Sequence, residues 1–108
     1  MPQAIRLSKS AIAEIDPPAT GRDYYRDSGC RGLVLMVTPS GSYTLQSYRK
    51  IAGRPVRVTL GTFDAAITEA RALPAHVKDG DSAATYITTR PRLSVKQARA
   101  LVSLLPSA

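Results

Sequence analysis

The chain has 108 residues, 44% of them apolar, and a net charge of +7 at neutral pH. That length supports one small domain with one core, and the charge points to a polyanionic partner. A single cysteine, Cys30, excludes an internal disulfide or a cysteine metal cluster, and no segment approaches the ~20 apolar residues of a membrane span.

The placement of charge says more than its total. Residues 1–27 are neutral, with four bases and four acids, and residues 28–63 carry +5 with no acid. Residues 64–81 carry −2, and residues 82–108 carry +4, again without an acid. The first residues lack the continuous apolar core of a signal peptide. The expectation is a soluble, cytoplasmic protein.

Ser8 is placed to cap a short helix over 9–15, with Ile12 and Ile15 on one side. Asp16-Pro17-Pro18 ends it, because proline lacks an amide donor and restricts the residue before it. Tyr24 to Asp27 reads as a short edge strand or an extended arm. Leu33 to Thr38 alternates, with Leu33, Leu35 and Val37 on one face and Val34, Met36 and Thr38 on the other. Pro39-Ser40-Gly41 has turn chemistry, and a second strand runs from Tyr43 to Lys50. Strict alternation there makes Ser47 the third core position and turns Tyr48 outward; a one-residue bulge near Ser47 returns Tyr48 to the core side. After a turn at Ala52-Gly53-Arg54, a third strand over 55–61 places Val56, Val58 and Leu60 inward and Arg57 and Thr59 outward.

The period then changes. Asp64 can cap a helix over 65–78, with Ile67, Ala70, Leu73 and Val77 at helical spacing and Pro74 kinking or splitting it. Asp79-Gly80-Asp81 closes that helix. Residues 82–92 read as a linker with Tyr86 to Thr89 as a weak strand, and no internal repeat stands out. Ser94 caps a last helix with an apolar stripe of Ala98, Leu101, Val102 and Leu105. The expected fold is α+β: a three-stranded antiparallel sheet packed against one helix (β-β-β-α), with a short N-terminal helix and a C-terminal linker plus helix.

Several phrases, in order, resemble the amino-terminal arm-type DNA-binding domain of phage and genomic-island tyrosine integrases. They are Asp16-Pro17-Pro18 with Gly21-Arg22-Asp23-Tyr24, then Gly32 through Thr38-Pro39-Ser40-Gly41. Tyr48-Arg49, Gly53-Arg54 and Thr59-Leu60-Gly61 follow, and Glu69-Ala70-Arg71 with Gly80-Asp81 completes the set. The resemblance covers roughly residues 7–81. It implies a DNA-binding domain over 1–81 and a linker with an amphipathic helix over 82–108.

In that family the sheet lies in the major groove, where each base pair shows a distinct donor and acceptor pattern. The resemblance therefore implies duplex DNA as partner. Its groove-facing candidates are Thr44, Gln46, Arg49, Arg54, Arg57 and Thr59, with Arg57 suited to guanine and Gln46 to adenine. Lys50 and Arg31 suit phosphates. The chain departs from the family at Val34 and Met36, where a small residue and an arginine are usual. Its helix is also a turn shorter and contains Pro74.

No enzyme is expected. The recombinase active site of arginine, histidine and tyrosine belongs to a larger, separate domain, and His76 is the sole histidine. No cofactor and no metal ligand set is read. Cys30 beside Arg31 reads as a half-buried cysteine, with a lowered pKa as the alternative. The rival function is a mobile-element protein that turns this scaffold toward a protein partner, as a regulator or an inhibitor of a host defence system. Its contacts are Val34, Met36, Leu101 and Leu105, with self-association through the C-terminal helix as one form. The chain reads equally as an integrase fragment or a small complete relative.

Overall fold

The computed structural model describes residues 3–68 and 70–105. Among them the chain forms six strands and three helices, in the order β1 (Gln3–Ile5), α1 (Lys9–Ala13), β2 (Asp23–Asp27), β3 (Leu33–Val37), β4 (Tyr43–Ile51), β5 (Arg54–Phe63), α2 (Gly80–Ile87), β6 (Arg92–Leu93) and α3 (Val95–Leu104). The strands form one mixed, curled sheet in sequence order, β1-β2-β3-β4-β5-β6. Its centre, β2 to β5, is antiparallel; β1 joins β2 and β6 joins β5 in parallel.

This overturns the expected three-stranded sheet on one helix. The class α+β stands, and β3-β4-β5 is the anticipated meander. It is widened by β2 and β1 on one side and β6 on the other. The two parallel additions are three and two residues long, too short for alternation to announce them.

The core lies on one face of the sheet. Leu33, Leu35 and Val37 of β3, Leu45 of β4 and Leu60 of β5 are buried there against Val95, Ala98, Leu101 and Val102 of α3. Leu7 and Ile12 close one end of the cluster. Ser8 caps α1 by accepting from the Ala11 amide at 3.1 Å, and the helix ends two residues earlier than its apolar spacing predicts. Ala52 and Gly53 take φ values of 52° and 78°, so β4 and β5 meet through a two-residue loop with both φ positive. That is the turn whose twist matches the flanking strands.

The β4–β5 register shifts between Leu45 and Gln46: Leu45 opposes Gly61, and Gln46 opposes Thr59. The extra residue is therefore Leu60 on β5, and no bulge occurs at Ser47. Ser47 takes the third core position and is buried, and Tyr48 points away from the core. Gly61 is needed at the bulge. A Cβ there would run into the Pro91 carbonyl oxygen and the Leu93 side chain, at the place where the Thr62 amide donates to Pro91 O at 3.0 Å.

The helix expected over 65–78 does not form, and Glu69 within it lies outside the described residues. The segment is a series of local turns. The Ala66 amide donates to Asp64 Oδ1, and the Ile67 and Val77 amides donate to the Asp64 and Pro74 carbonyls. Pro74 cannot donate and crowds the turn before it, leaving about nine residues, too few for a helix that must stand largely on its own propensity.

Asp79 opens a helix instead of closing one. Its carboxylate accepts from the Ser82 amide at 2.7 Å and its own amide donates to Ser82 Oγ at 3.1 Å, a reciprocal cap for α2. Residues 82–92, expected as a linker with a strand at Tyr86–Thr89, thus hold most of α2 and the start of β6. The last helix forms as its sequence predicts, with Ser94 and Gln97 bonding reciprocally at its start. No helix among the described residues is long and apolar enough to cross a membrane.

Candidate nucleic-acid interface

Alternation and register place a second set of side chains on the sheet face opposite α3. Strand β2 contributes Tyr24 and Arg26, and β3 contributes Val34 and Met36. Strand β4 contributes Thr44, Gln46, Tyr48 and Lys50; β5 contributes Arg57 and Thr59 before its bulge and Thr62 after it. No carboxylate falls on this face among the described residues. Thr44, Gln46, Lys50, Arg57 and Thr59 of the sequence-derived set are together here.

Arg57 organises the middle of the face. Its guanidinium carbon lies 4.7 Å from the centre of the Tyr24 ring and 5.2 Å from that of Tyr48. Cation–π attraction of this kind holds a guanidinium flat against aromatic faces. Arg57 has no ion-pair partner among the described residues, so its charge is uncompensated by any acid. Tyr48 stands 38% exposed. Gln46 is only 6% exposed; its Nε2 faces Met36 Sδ at 4.0 Å, and its Oε1 has no hydrogen-bond partner.

Val34 and Met36, named as contacts for a protein partner, are largely covered. Val34, between Arg26 and Gln46 in register, is 5% exposed, and Met36 is half-buried. The other two apolar candidates are on the core side. Leu101 is fully buried in the core, and Leu105 packs against it, so the C-terminal stripe is covered by this chain's own sheet.

Arg49 leaves the groove-facing set. It stands on the α3 side of β4, where its Nη2 donates to Val102 O at 2.9 Å and satisfies a carbonyl at the helix C-terminus. Gly32, at φ 93°, makes room for it: a Cβ there would meet Arg49 Nε. Arg54 begins β5 beside the hairpin loop and Arg31 lies in the turn before β3, both exposed and both outside the central cluster.

Tyr24, Tyr48 and Arg26 are not among the residues that the sequence singles out. Strict alternation through Ser47, without a bulge in β4, already turns Tyr48 outward beside Arg57. The edge of the face opens into a cleft of about 570 Å³ lined by Thr44, Thr59, Thr62, Thr88 and Arg90, with Arg90 held at φ 54°.

The one buried ion pair among the described residues lies on the other side of the sheet. Asp27, on β2, accepts from Arg99 Nε at 2.7 Å and from the Gly29 and Leu7 amides at 2.9 and 3.3 Å. Burial raises its pKa, but the Arg99 hydrogen bonds and the two amides outweigh this and hold the carboxyl below its ordinary range. Its acceptor sites are occupied, so it braces the fold.

Burial likewise pushes the Cys30 thiol up, helped by Asp27 and opposed by Arg99 and Arg49; Arg31 does not lower it. His76 meets the Tyr86 ring edge-to-face at 5.9 Å, in a turn and not on a helix. No group of three or more metal-binding side chains comes together among the described residues. Comparison with protein-family models, with curated proteins and with solved structures finds no match for this chain.

Proposed function

We propose that the chain is a non-catalytic DNA-binding module that meets duplex DNA with the face of β2 to β5 opposite α3. The observation that carries this is a sheet face with no carboxylate among the described residues. Its central cation, Arg57, is fixed between two tyrosines and lacks an acidic partner there. Arg26 and Lys50, on the same face, suit phosphates. The two-stranded end of β4–β5 has the width a major groove admits.

The resemblance to integrase arm-type domains suggests what this face is for. It would anchor the protein at sites that flank the place where a separate catalytic domain cuts. Such a role belongs in the cytoplasm. The protein-partner reading loses its main motive, because Val34 and Leu101 are buried and Leu105 packs on the core.

Titration against duplex DNA at several salt concentrations tests the proposal. Neutralising about three phosphates, one each for Arg26, Lys50 and Arg57, predicts a slope of log affinity on log salt near about −2.7. Affinity then falls roughly 40-fold between about 50 and 200 mM salt. An absence of binding to any duplex at about 50 mM salt refutes the reading.

A further inference from the structure

We infer that the stack of Tyr24, Arg57 and Tyr48 marks a base-stacking platform, and that this face also binds single-stranded nucleic acid through unstacked bases. The inference rests on reading the face as a nucleic-acid interface and names a substrate class for it. Three observations converge. Tyr48 is the exposed large apolar side chain of the described residues. Its ring and that of Tyr24, brought from β4 and β2, serve one guanidinium. A guanidinium is flat and delocalised and lies on an aromatic face much as a base does.

The second observation is Gln46. Its Oε1 is a buried acceptor without a donor, while its Nε2 has only a thioether for company. Buried acceptors in folded proteins are normally satisfied, and an empty one calls for an explanation. The amino group or ring N–H of a base supplies the missing donor. The third is charge: Arg26 and Lys50 flank the rings, and no acid among the described residues opposes them. As a strand arrives, Arg57 exchanges its tyrosine rings for a phosphate and a base takes its place on a ring.

Geometry separates this ligand from a paired duplex. Bases in a duplex stack on one another and present only their edges in the grooves. A tyrosine ring face can stack only on a base released from such a stack. Gln46, 6% exposed, is too recessed to meet a base edge in an intact groove. A single unpaired base can reach further in than a paired base edge.

The test compares a labelled 12-nucleotide single strand with the same strand annealed to its complement, using the whole chain at about 50 mM salt. Anisotropy reads affinity, and tyrosine emission reports stacking directly because the chain has no tryptophan. The inference predicts that the single strand binds and quenches tyrosine emission. Tyr48→Leu should weaken single-strand binding about 5- to 150-fold, the loss of one stacked base, and Tyr48→Phe should retain it. Gln46→Leu should weaken single-strand binding without lowering the melting temperature, since it removes an unsatisfied acceptor. Binding of duplex alone overturns this inference and leaves the duplex proposal standing. Single-strand affinity indifferent to Tyr48→Leu overturns it as well, and failure to bind either probe removes both.

Discussion

Replacing Asp27 by Asn removes one charge from a site where nothing else can supply it. The Asp27 side chain is fully buried and the Arg99 side chain 31% exposed. One carboxylate oxygen accepts from Arg99 Nε, while the other accepts from the Gly29 and Leu7 amides and from Arg99 Nη2 at 3.2 Å. An amide has one acceptor oxygen, so an Asn must turn its NH₂ toward either the guanidinium or the two backbone donors. Arg99 also donates to Leu7 O at 2.8 Å, so the fault spreads to the joint between the N-terminal segment, β2 and α3. Breaking a buried pair costs about 3–5 kcal/mol, and partial exposure of Arg99 favours about 3 kcal/mol. In a domain of this size that lowers the melting temperature on the order of 10–20 °C. Thermal unfolding followed by far-UV circular dichroism measures it, and a shift under about 3 °C refutes the reasoning. The pH dependence follows from the lowered folded-state pKa. The stabilisation is present above the unfolded carboxylate pKa, near about 4, and is lost as pH falls from there through the folded value. The acid limb of the Asn variant should therefore be flatter than that of the native chain.

Gly61→Ala should cost about 1–3 kcal/mol, because the new methyl meets a backbone oxygen that cannot move without opening the β5–β6 pairing; urea unfolding checks it, and a neutral result means the bulge relaxes. Ser94→Ala should remove about 1 kcal/mol by breaking the cap of α3, measured the same way. Arg57→Ala should weaken DNA binding with little change in melting temperature. Arg49→Ala should do the reverse, losing about 1.5–3 kcal/mol with its charged hydrogen bond to Val102. If both arginines behave alike in a paired binding and melting assay, the assignment of the two faces fails.

The β3-β4-β5 meander is legible because alternation along it is strong and its turns carry glycine. What the sequence does not carry is the position of the extra residue. Ser47 is a poor core residue by type, which argues for a bulge beside it. The sheet instead accepts a small serine under α3 and places the bulge at Leu60, where Gly61 lets the Pro91 backbone come close. That choice decides the candidate site. With β4 unbulged, Tyr48 joins Arg57 on the outer face, and Arg49 is committed to the helix side. Outward Thr44, Gln46, Arg57 and Thr59 are readable from period alone; Tyr24 requires knowing that β2 continues the same sheet.

Helical spacing favours two similar phrases and only one of them folds as a helix, for reasons of local chemistry. Ile67-Thr68-Glu69-Ala70-Arg71-Ala72-Leu73 and Val95-Lys96-Gln97-Ala98-Arg99-Ala100-Leu101 share their last four residues at the same spacing. The second is preceded directly by Ser94, which caps it; the matching position of the first is Ala66, which has no side-chain acceptor. The second continues into Val102; the first runs into Pro74, whose ring opposes a helical carbonyl at Ala70. Arg99 finds Asp27 waiting on β2. Backbone carbonyls of the first phrase are instead bonded by the second: Ala72 O accepts from Gln97 Nε2 at 3.2 Å and Ala70 O from Lys96 Nζ at 3.5 Å. One cap and one proline, together with the partner on β2, thus decide which phrase covers the sheet. The sheet's other face is left to the tyrosines and Arg57.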